Sequence, residues 1–415
     1  MPTEALDGIF DRFISGSTIF LDRNVLRHDY VPGSLPHRDE HIRKLGGMLA
    51  PALNSSKTSN VFLYGKTGTG KTAVARYVLT RLEQKAQEVG ISLRSAYVNC
   101  RLAGTNYRVL AELCRAVGAE VPFTGVAVGE VLDRFREALG HSSSPLLAVL
   151  DEIDALVRRQ EDDVLLYELT RINETLRRNW VSLIGVSNDL HFKEYLDPRV
   201  LSSLSEEEVV FRPYLADELY DILSERANAA FKAGTMHNAT LRLCAALAAG
   251  EHGDARRALD LLRVAGEMAE REGFSAVAEK HVRVAQQKIE QDRVSEVLRS
   301  LPVHSKLLLT AVHCLSARLS DGAVTGDIYE AYNELCVEAG IEPLTQRRVS
   351  TLVSELDVMG ILNARVVSFG RYGRTKRIRL AASGKAIIEV FSEDSLVGRL
   401  LGHVPKSLQQ RRKSP

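Results

Sequence analysis

Asn60-Val61-Phe62-Leu63-Tyr64-Gly65-Lys66-Thr67-Gly68-Thr69-Gly70-Lys71-Thr72 is the stretch that decides the fold. Val61 to Tyr64 form a short unbroken apolar run, the pattern of a strand buried on both faces. The next eight residues fit G-x-x-x-x-G-K-[ST], and Ala73-Val74-Ala75-Arg76-Tyr77-Val78-Leu79 continues as a helix. Strand, glycine-rich turn and helix in that order are a phosphate-binding loop. The glycines let backbone N–H groups converge on phosphate oxygens, and the helix N-terminus adds its positive dipole end. Lys71 is placed to reach the β/γ-phosphates and Thr72 to ligate Mg²⁺. The phosphate-facing set is therefore Gly68, Thr69, Gly70, Lys71, Thr72 and Ala73, with ATP or ADP as the ligand.

Four more strand-like segments accompany this one: Leu93 to Cys100, Leu146 to Leu150, Val181 to Ser187, and Glu208 to Phe211. Helical patterns separate most of them, which predicts an α/β domain with a parallel sheet. After Pro213 the strand-like runs stop, and helical patterns continue to about Val294. A third unit reads as three helices (Ser305 to Leu319, Thr325 to Ala339, Thr345 to Gly360) and two strands (Ile361 to Ser368, Thr375 to Leu380). Three helices and a basic hairpin predict a winged helix-turn-helix. The expected domains are an ATPase core over 1–212, a helical lid over 213–294 and a winged-helix unit over 295–415.

Two strand ends carry polar residues where α/β sheets bind ligands. Leu146 to Leu150 runs into Asp151-Glu152. Asp151 would hold Mg²⁺ through water, and Glu152 would polarise the attacking water. Val181 to Ser187 runs into Asn188, placed to orient that water or contact the γ-phosphate. His37 and His41 stand at i, i+4, but no third ligand accompanies them, so they read as a solvated helix start. Trp180, before a strand, reads as packing.

The chain has 415 residues and a net charge of +1. That length fits several domains. No apolar run reaches the length of a membrane span, and the start lacks the pattern of a secretory signal. Five widely spaced cysteines without a CxxC suit reduced thiols in a cytoplasmic protein. The near-neutral total hides an asymmetry. From Ile341 to Pro415 there are 14 Lys/Arg against 6 Asp/Glu, or +8; the preceding residues hold 40 against 47, or −7. The basic block coincides with the winged helix, which favours nucleic acid as its partner. Thr345-Gln346-Arg347-Arg348 opens an amphipathic helix whose N-terminal residues would meet base edges in a major groove, Gln346 pairing adenine and Arg347 or Arg348 guanine. Arg371, Tyr372, Arg374 and Lys376 in the wing suit phosphates or a minor groove.

The Asp151-Glu152 and Asn188 strand ends, followed by a helical domain, resemble the AAA+ ATPases, where these are the Walker B and sensor 1 motifs. Asp197-Pro198-Arg199-Val200-Leu201-Ser202-Ser203 lies where that family places its arginine finger. Gly253-Asp254-Ala255-Arg256-Arg257-Ala258-Leu259-Asp260 resembles sensor 2, with Arg256 the better candidate and Arg257 the second. From about Ile19 to Leu380 the chain is similar to archaeal replication initiators of the origin-recognition and cell-division-control type. Tyr30-Val31-Pro32, Leu35-Pro36-His37-Arg38, the phosphate loop, Leu150-Asp151-Glu152-Ile153-Asp154 and Gly370-Arg371-Tyr372-Gly373-Arg374-Thr375-Lys376 carry that resemblance.

The resemblance implies further roles. Val31 and Pro32 would line the adenine pocket. Tyr214, in the Phe211-Arg212-Pro213-Tyr214 hinge, would contact the nucleotide, with Arg226 on the first lid helix as its partner. Arg199 would complete a neighbour's site. An initiator-specific helical insertion would fall around Val121 to Glu130, with Phe123 and Thr124 pressed against a DNA groove as wedges. The implied function is an ATP-dependent initiator with slow, switch-like hydrolysis, associated with the nucleoid. It would bind and deform double-stranded origin DNA and help recruit the minichromosome-maintenance helicase, beside other initiator paralogues. An ATP-gated transcription regulator, or an AAA+ motor of the clamp-loader or branch-migration type, would use many of the same parts.

Overall fold

The computed structural model describes residues 16–28, 30, 32–122, 124–142, 144–160, 163–177, 179–204, 206–316, 319, 322–368 and 374–406. In chain order the first compact unit, 1–283, contains α1 (Asp39–Leu49), β1 (Asn60–Gly65), α2 (Lys71–Glu88), β2 (Arg94–Asn99), α3 (Cys100–Ala103), α4 (Asn106–Val117), α5 (Val128–His141), β3 (Leu146–Asp151), α6 (Asp154–Gln160), α7 (Val164–Arg171), β4 (Val181–Ser187), α8 (Pro198–Leu204) and β5 (Glu206–Phe211). The helices α9 (Ala216–Ala230), α10 (Asn238–Gly250) and α11 (Ala255–Arg271) follow, and α12 (Glu279–Ser300) leads into the second unit.

The five strands form one parallel sheet in the order β2-β3-β4-β1-β5. β3 and β4 are buried along their whole length, as their apolar sequences require. Because strand side chains alternate between faces, β3 feeds two cores. Leu146, Ala148 and Leu150 pack with α4, α5 and α7, while Leu147 and Val149 pack with α1 and α2. The order places β4 between β1 and β3, so the loops after these strands converge at one edge of the sheet. The register pairs Gly65 with Phe211, so the hinge leaves the sheet level with the phosphate loop. Trp180 donates from Nε1 to the Ser55 carbonyl at 3.2 Å and is a packing residue.

The segment between β2 and β3, where a helical insertion is expected around Val121 to Glu130, is helical. The helices between β2 and β3 are α3, α4 and α5, and Val121 to Ala127 is the connection between α4 and α5. Gly118 ends α4 in a left-handed conformation. Helix thus flanks the expected stretch and takes in its last three residues, Val128 to Glu130. Thr124 is exposed on this connection, and Phe123 lies outside the described residues.

The second unit, 284–415, holds α13 (Val303–Ser316), β6 (Ala323–Val324), α14 (Thr325–Ala339), α15 (Gln346–Val358), β7 (Leu362–Ser368), β8 (Arg374–Leu380) and α16 (Gly384–Ser392). β7 and β8 pair antiparallel, and β6 adds to β8. The apolar faces of the helices meet this sheet in one core around Leu308, Tyr332, Leu352 and Phe391. β6 and α16 extend the predicted three helices and hairpin. The five cysteines are free and buried. Among the described residues no helix is long and apolar enough to cross a membrane.

Candidate nucleotide site and nucleic-acid interface

The phosphate loop leaves the centre of the sheet at Gly65 and ends where Gly70, at φ +88°, caps α2. Gly68 has φ +73°. A Cβ there would stand 1.7 Å from an Asp254 carboxylate oxygen, and one on Gly70 would stand 2.8 Å from the Tyr214 hydroxyl. Both positions therefore demand glycine by backbone angle and by space. Lys71 is only 4% exposed. Its Nζ donates to the carbonyls of Gly65 (2.7 Å) and Lys66 (2.8 Å) and to Asn188 Oδ1 (2.9 Å). Burial pulls its pKa down to about 8; Asp151 opposes the shift and Arg256 adds to it. The Thr69 hydroxyl closes the turn by donating to the Lys66 carbonyl at 2.8 Å.

Thr72 donates its hydroxyl to Asp151 Oδ2 at 2.9 Å, and the Tyr97 hydroxyl donates to the same oxygen. Paired hard oxygens beside a glycine cradle fit Mg²⁺, which takes one or two protein ligands and completes its shell with phosphate and water. Among the described residues no group of three His, Cys, Asp or Glu could hold a metal by itself. Glu152 adopts φ +51°. That is a costly backbone for glutamate, of the kind that clusters at functional sites. Its carboxylate lies 3.4 Å from Asn99 Nδ2 and 3.5 Å from Arg101 Nη1. The sequence reading missed Asn99, although the signal was available: it ends β2 in register with Asp151, obeying the same strand-end rule as Asp151 and Asn188. Asp154 holds the next strand end by accepting from Ser187 Oγ (3.0 Å) and the Asn188 N–H (3.3 Å).

Pro32, Ala73, Tyr214, Arg226 and Arg256 all line one pocket beside the loop, with Tyr30. Val31 lies outside the described residues. Arg256 and Arg257 part company: Arg256 is on the pocket wall, whereas Arg257 Nε is 2.9 Å from a Glu251 oxygen. Asp254 caps α11 by accepting from both their N–H groups, and the Ala255 N–H donates to the Gly68 carbonyl at 3.1 Å. The lid helix therefore rests directly on the phosphate loop. Arg226 is held on the pocket wall by the segment before α1. Its guanidinium donates to the Val25 carbonyl at 3.0 Å and sits over the Tyr30 ring, so it braces the pocket wall. Tyr214 meets the loop with its hydroxyl at Gly70. Arg199 is not brought to this pocket; its side chain is 80% exposed and its Nε is 3.0 Å from Asp197. His37 precedes α1 at φ +60° and points Nε2 at Asp221, 2.8 Å away.

In the winged-helix unit, Thr345 caps α15 by accepting from the Arg348 N–H, leaving Gln346, Arg347 and Arg348 exposed on the first turn. Arg348 lies 3.6 Å from Glu355. Lys376 donates from Nζ to Ser354 Oγ at 2.8 Å, joining β8 to α15. Arg374 opens β8 opposite Ser368, while Arg371 and Tyr372 lie outside the described residues.

Three family models match in succession: an AAA domain over 54–192, the Cdc6 AAA+ ATPase-type lid domain over 220–287, and the CDC6 C-terminal winged helix domain over 296–390. The chain is 51% identical over 410 residues to the ORC1-type DNA replication protein of Pyrococcus abyssi, covering 98% of each chain. It is 53% identical over 389 residues to the ORC1-type DNA replication protein 1 of Aeropyrum pernix, covering 93% of this chain and 98% of that one. Its structure is similar to that of the Aeropyrum pernix ORC1 protein in complex with DNA, with a TM-score of 0.83, 52% identity, and coverage of 92% and 99% of the two chains. An AAA domain, a lid and a winged helix in one chain, with half of all residues shared across nearly the full length of these relatives, establish that the chain belongs to the family of archaeal ORC1-type DNA replication proteins.

Proposed function

We propose that the chain is an ATP-dependent replication initiator that binds double-stranded origin DNA, deforms it, and helps recruit the replicative minichromosome-maintenance helicase at the nucleoid. The observation that carries this reading is the 52% identity, over 92% of the chain, to an ORC1 protein whose structure was solved in complex with DNA. In this reading Gln346, Arg347 and Arg348 meet base edges, while Arg371, Tyr372, Arg374 and Lys376 meet the backbone or minor groove. Thr124 and Phe123, on the connection between α4 and α5, press against the duplex.

The nucleotide half follows from the site's own groups. Gly68, Thr69, Gly70 and Ala73 present the loop to the phosphates, and Lys71 supplies the buried cation. Thr72 and Asp151 would hold Mg²⁺, which neutralises developing phosphate charge when bound. Glu152 accepts the water proton, and Asn188 orients that water beside Lys71. Arg256 brings lid charge to the phosphates. Pro32, Val31, Tyr214 and the Arg226-braced wall enclose the base. Arg199 serves a neighbouring protomer, since its own site is out of reach. Turnover in this reading is slow and switch-like.

The test is binding to an origin inverted repeat and to a scrambled duplex across a salt series, with ATP and with ADP. The repeat should bind at least about 1,000-fold tighter than the scramble. Equal affinities would remove sequence-specific origin binding. Promoter occupancy in place of origin occupancy on chromatin would point to a transcription regulator.

A further inference from the structure

Arg38 is fully buried, yet among the described residues no carboxylate bonds to its guanidinium. Its Nε donates to the Thr69 carbonyl at 2.9 Å, its Nη1 to the His37 carbonyl at 3.0 Å, and its Nη2 to the Arg212 carbonyl at 3.0 Å. The guanidinium carbon lies 3.6 Å from the centroid of the Tyr214 ring. Burial lowers its pKa, with Tyr214 and Glu218 opposing. A buried cation satisfied by carbonyls is a costly way to fill space, and an apolar side chain of the same volume would serve packing better.

The three acceptors belong to three different segments: the turn before α1, the phosphate loop and the hinge. Thr69 O is part of the peptide that carries the Gly70 N–H. A donor on that carbonyl polarises the peptide and strengthens its N–H at the loop. Arg212 O lies where the chain leaves β5 for the lid. Tyr214, stacked on the same guanidinium, places its hydroxyl against the bare Cα face of Gly70. One side chain thus fixes the loop and the hinge in a common frame.

We propose that Arg38 is a positioning residue that couples the lid hinge to the phosphate loop, so that neither moves without the other when a nucleoside polyphosphate binds or leaves. The proposal rests on the nucleotide reading of the loop, but the coupling can be measured without nucleotide. In the full chain, Arg38→Met keeps the length and removes the donors. Amide hydrogen exchange should rise together in residues 66–72 and 212–219 and stay unchanged in β3. Release of a fluorescent ADP analogue should quicken about tenfold, the loss expected for a charged hydrogen bond. A rise confined to one of the two segments, or spread evenly through residues 16–283, would overturn the coupling, because a plain core residue behaves that way. Should the methionine variant fail to fold, Arg38→Lys keeps the cation and loses the fork; the same paired rise, at smaller amplitude, is expected, and protection equal to wild type would overturn the proposal. A wild-type chain that binds no ADP analogue while the paired rise appears would sink the nucleotide reading and leave the coupling standing.

Discussion

The phosphate loop and the start of α15 use the same kinds of residue in opposite ways. Lys71 is buried and held by three acceptors. Arg347 stands exposed on the first turn of its helix. The loop has met the desolvation and ordering costs in folding, so its geometry is preset and intolerant of change. If the α15 cations meet DNA as proposed, they keep their hydration until the duplex displaces it, and their contributions should be separate, additive and sensitive to salt. A change in the first region should therefore alter a whole site. A change in the second should alter one contact.

The comparison breaks most sharply at Lys71. If Lys71 is the main phosphate cation, as proposed, Lys71→Ala should lower nucleotide affinity about 100-fold, the loss of one or two charge-assisted hydrogen bonds. Calorimetric titration with ADP measures this, and wild-type affinity in the variant would take Lys71 out of the site. Gly68→Ala comes next. The new methyl would meet the Asp254 carboxylate at a φ that alanine avoids, so the lid must shift away. About 2 kcal/mol of stability should be lost in the first unit, read by denaturant unfolding, while the winged-helix transition stays in place.

Arg347→Ala should cost about 1–3 kcal/mol and relax preference at one base position if the side chain reads guanine. Binding to a panel of single-base variants would show this. A uniform loss across the panel would reassign Arg347 to the backbone, and loss of nucleotide binding would deny the independence of the two regions.

Buried charge also gives the loop a pH dependence that the reading helix lacks. Burial pushes the Lys71 ammonium down from 10.5 to about 8. Bound phosphate favours the charged form and raises that value again. Well below pH 8 the ammonium is charged whether or not nucleotide is present, so affinity from this group is flat. Above pH 8 binding must take up a proton, and affinity should fall by up to tenfold per unit. Titration in buffers of different ionisation enthalpy should show no uptake at pH 7 and uptake approaching one proton at about pH 9. Proton release on binding in that range would contradict the assignment.

How much was legible follows from where the signals lie. The loop, Asp151 and Asn188 sit at the ends of apolar runs, so strand patterning alone located them. The α15 turn was legible from its cap and its apolar spacing. Arg38 was not, because two of its three acceptors are backbone carbonyls 31 and 174 positions away. The resemblance implies Arg226 as a nucleotide partner, and it does line the pocket; its contacts with the Val25 carbonyl and the Tyr30 ring needed three-dimensional proximity to be seen. α16 was missed although Ala386, Ile387, Val390 and Phe391 have helical spacing and are buried. A winged helix is complete at Leu380, so nothing before it required another helix.

The finest division falls within the wing. Arg374 and Lys376 are both cations of β8, and the sequence treats them alike. The Lys376 ammonium, however, already bonds Ser354 on α15. A cation engaged with its own fold releases fewer counterions when DNA binds than a fully hydrated one would. Arg374→Ala should therefore flatten the plot of log affinity against log salt by about one unit, as expected for the loss of one phosphate contact. Lys376→Ala should flatten it by less, and should instead loosen the junction of β8 with α15, visible as faster amide exchange in both. Equal slopes for the two variants would mean that the Ser354 bond gives way to phosphate on binding, and the brace would then be a property of the free protein alone.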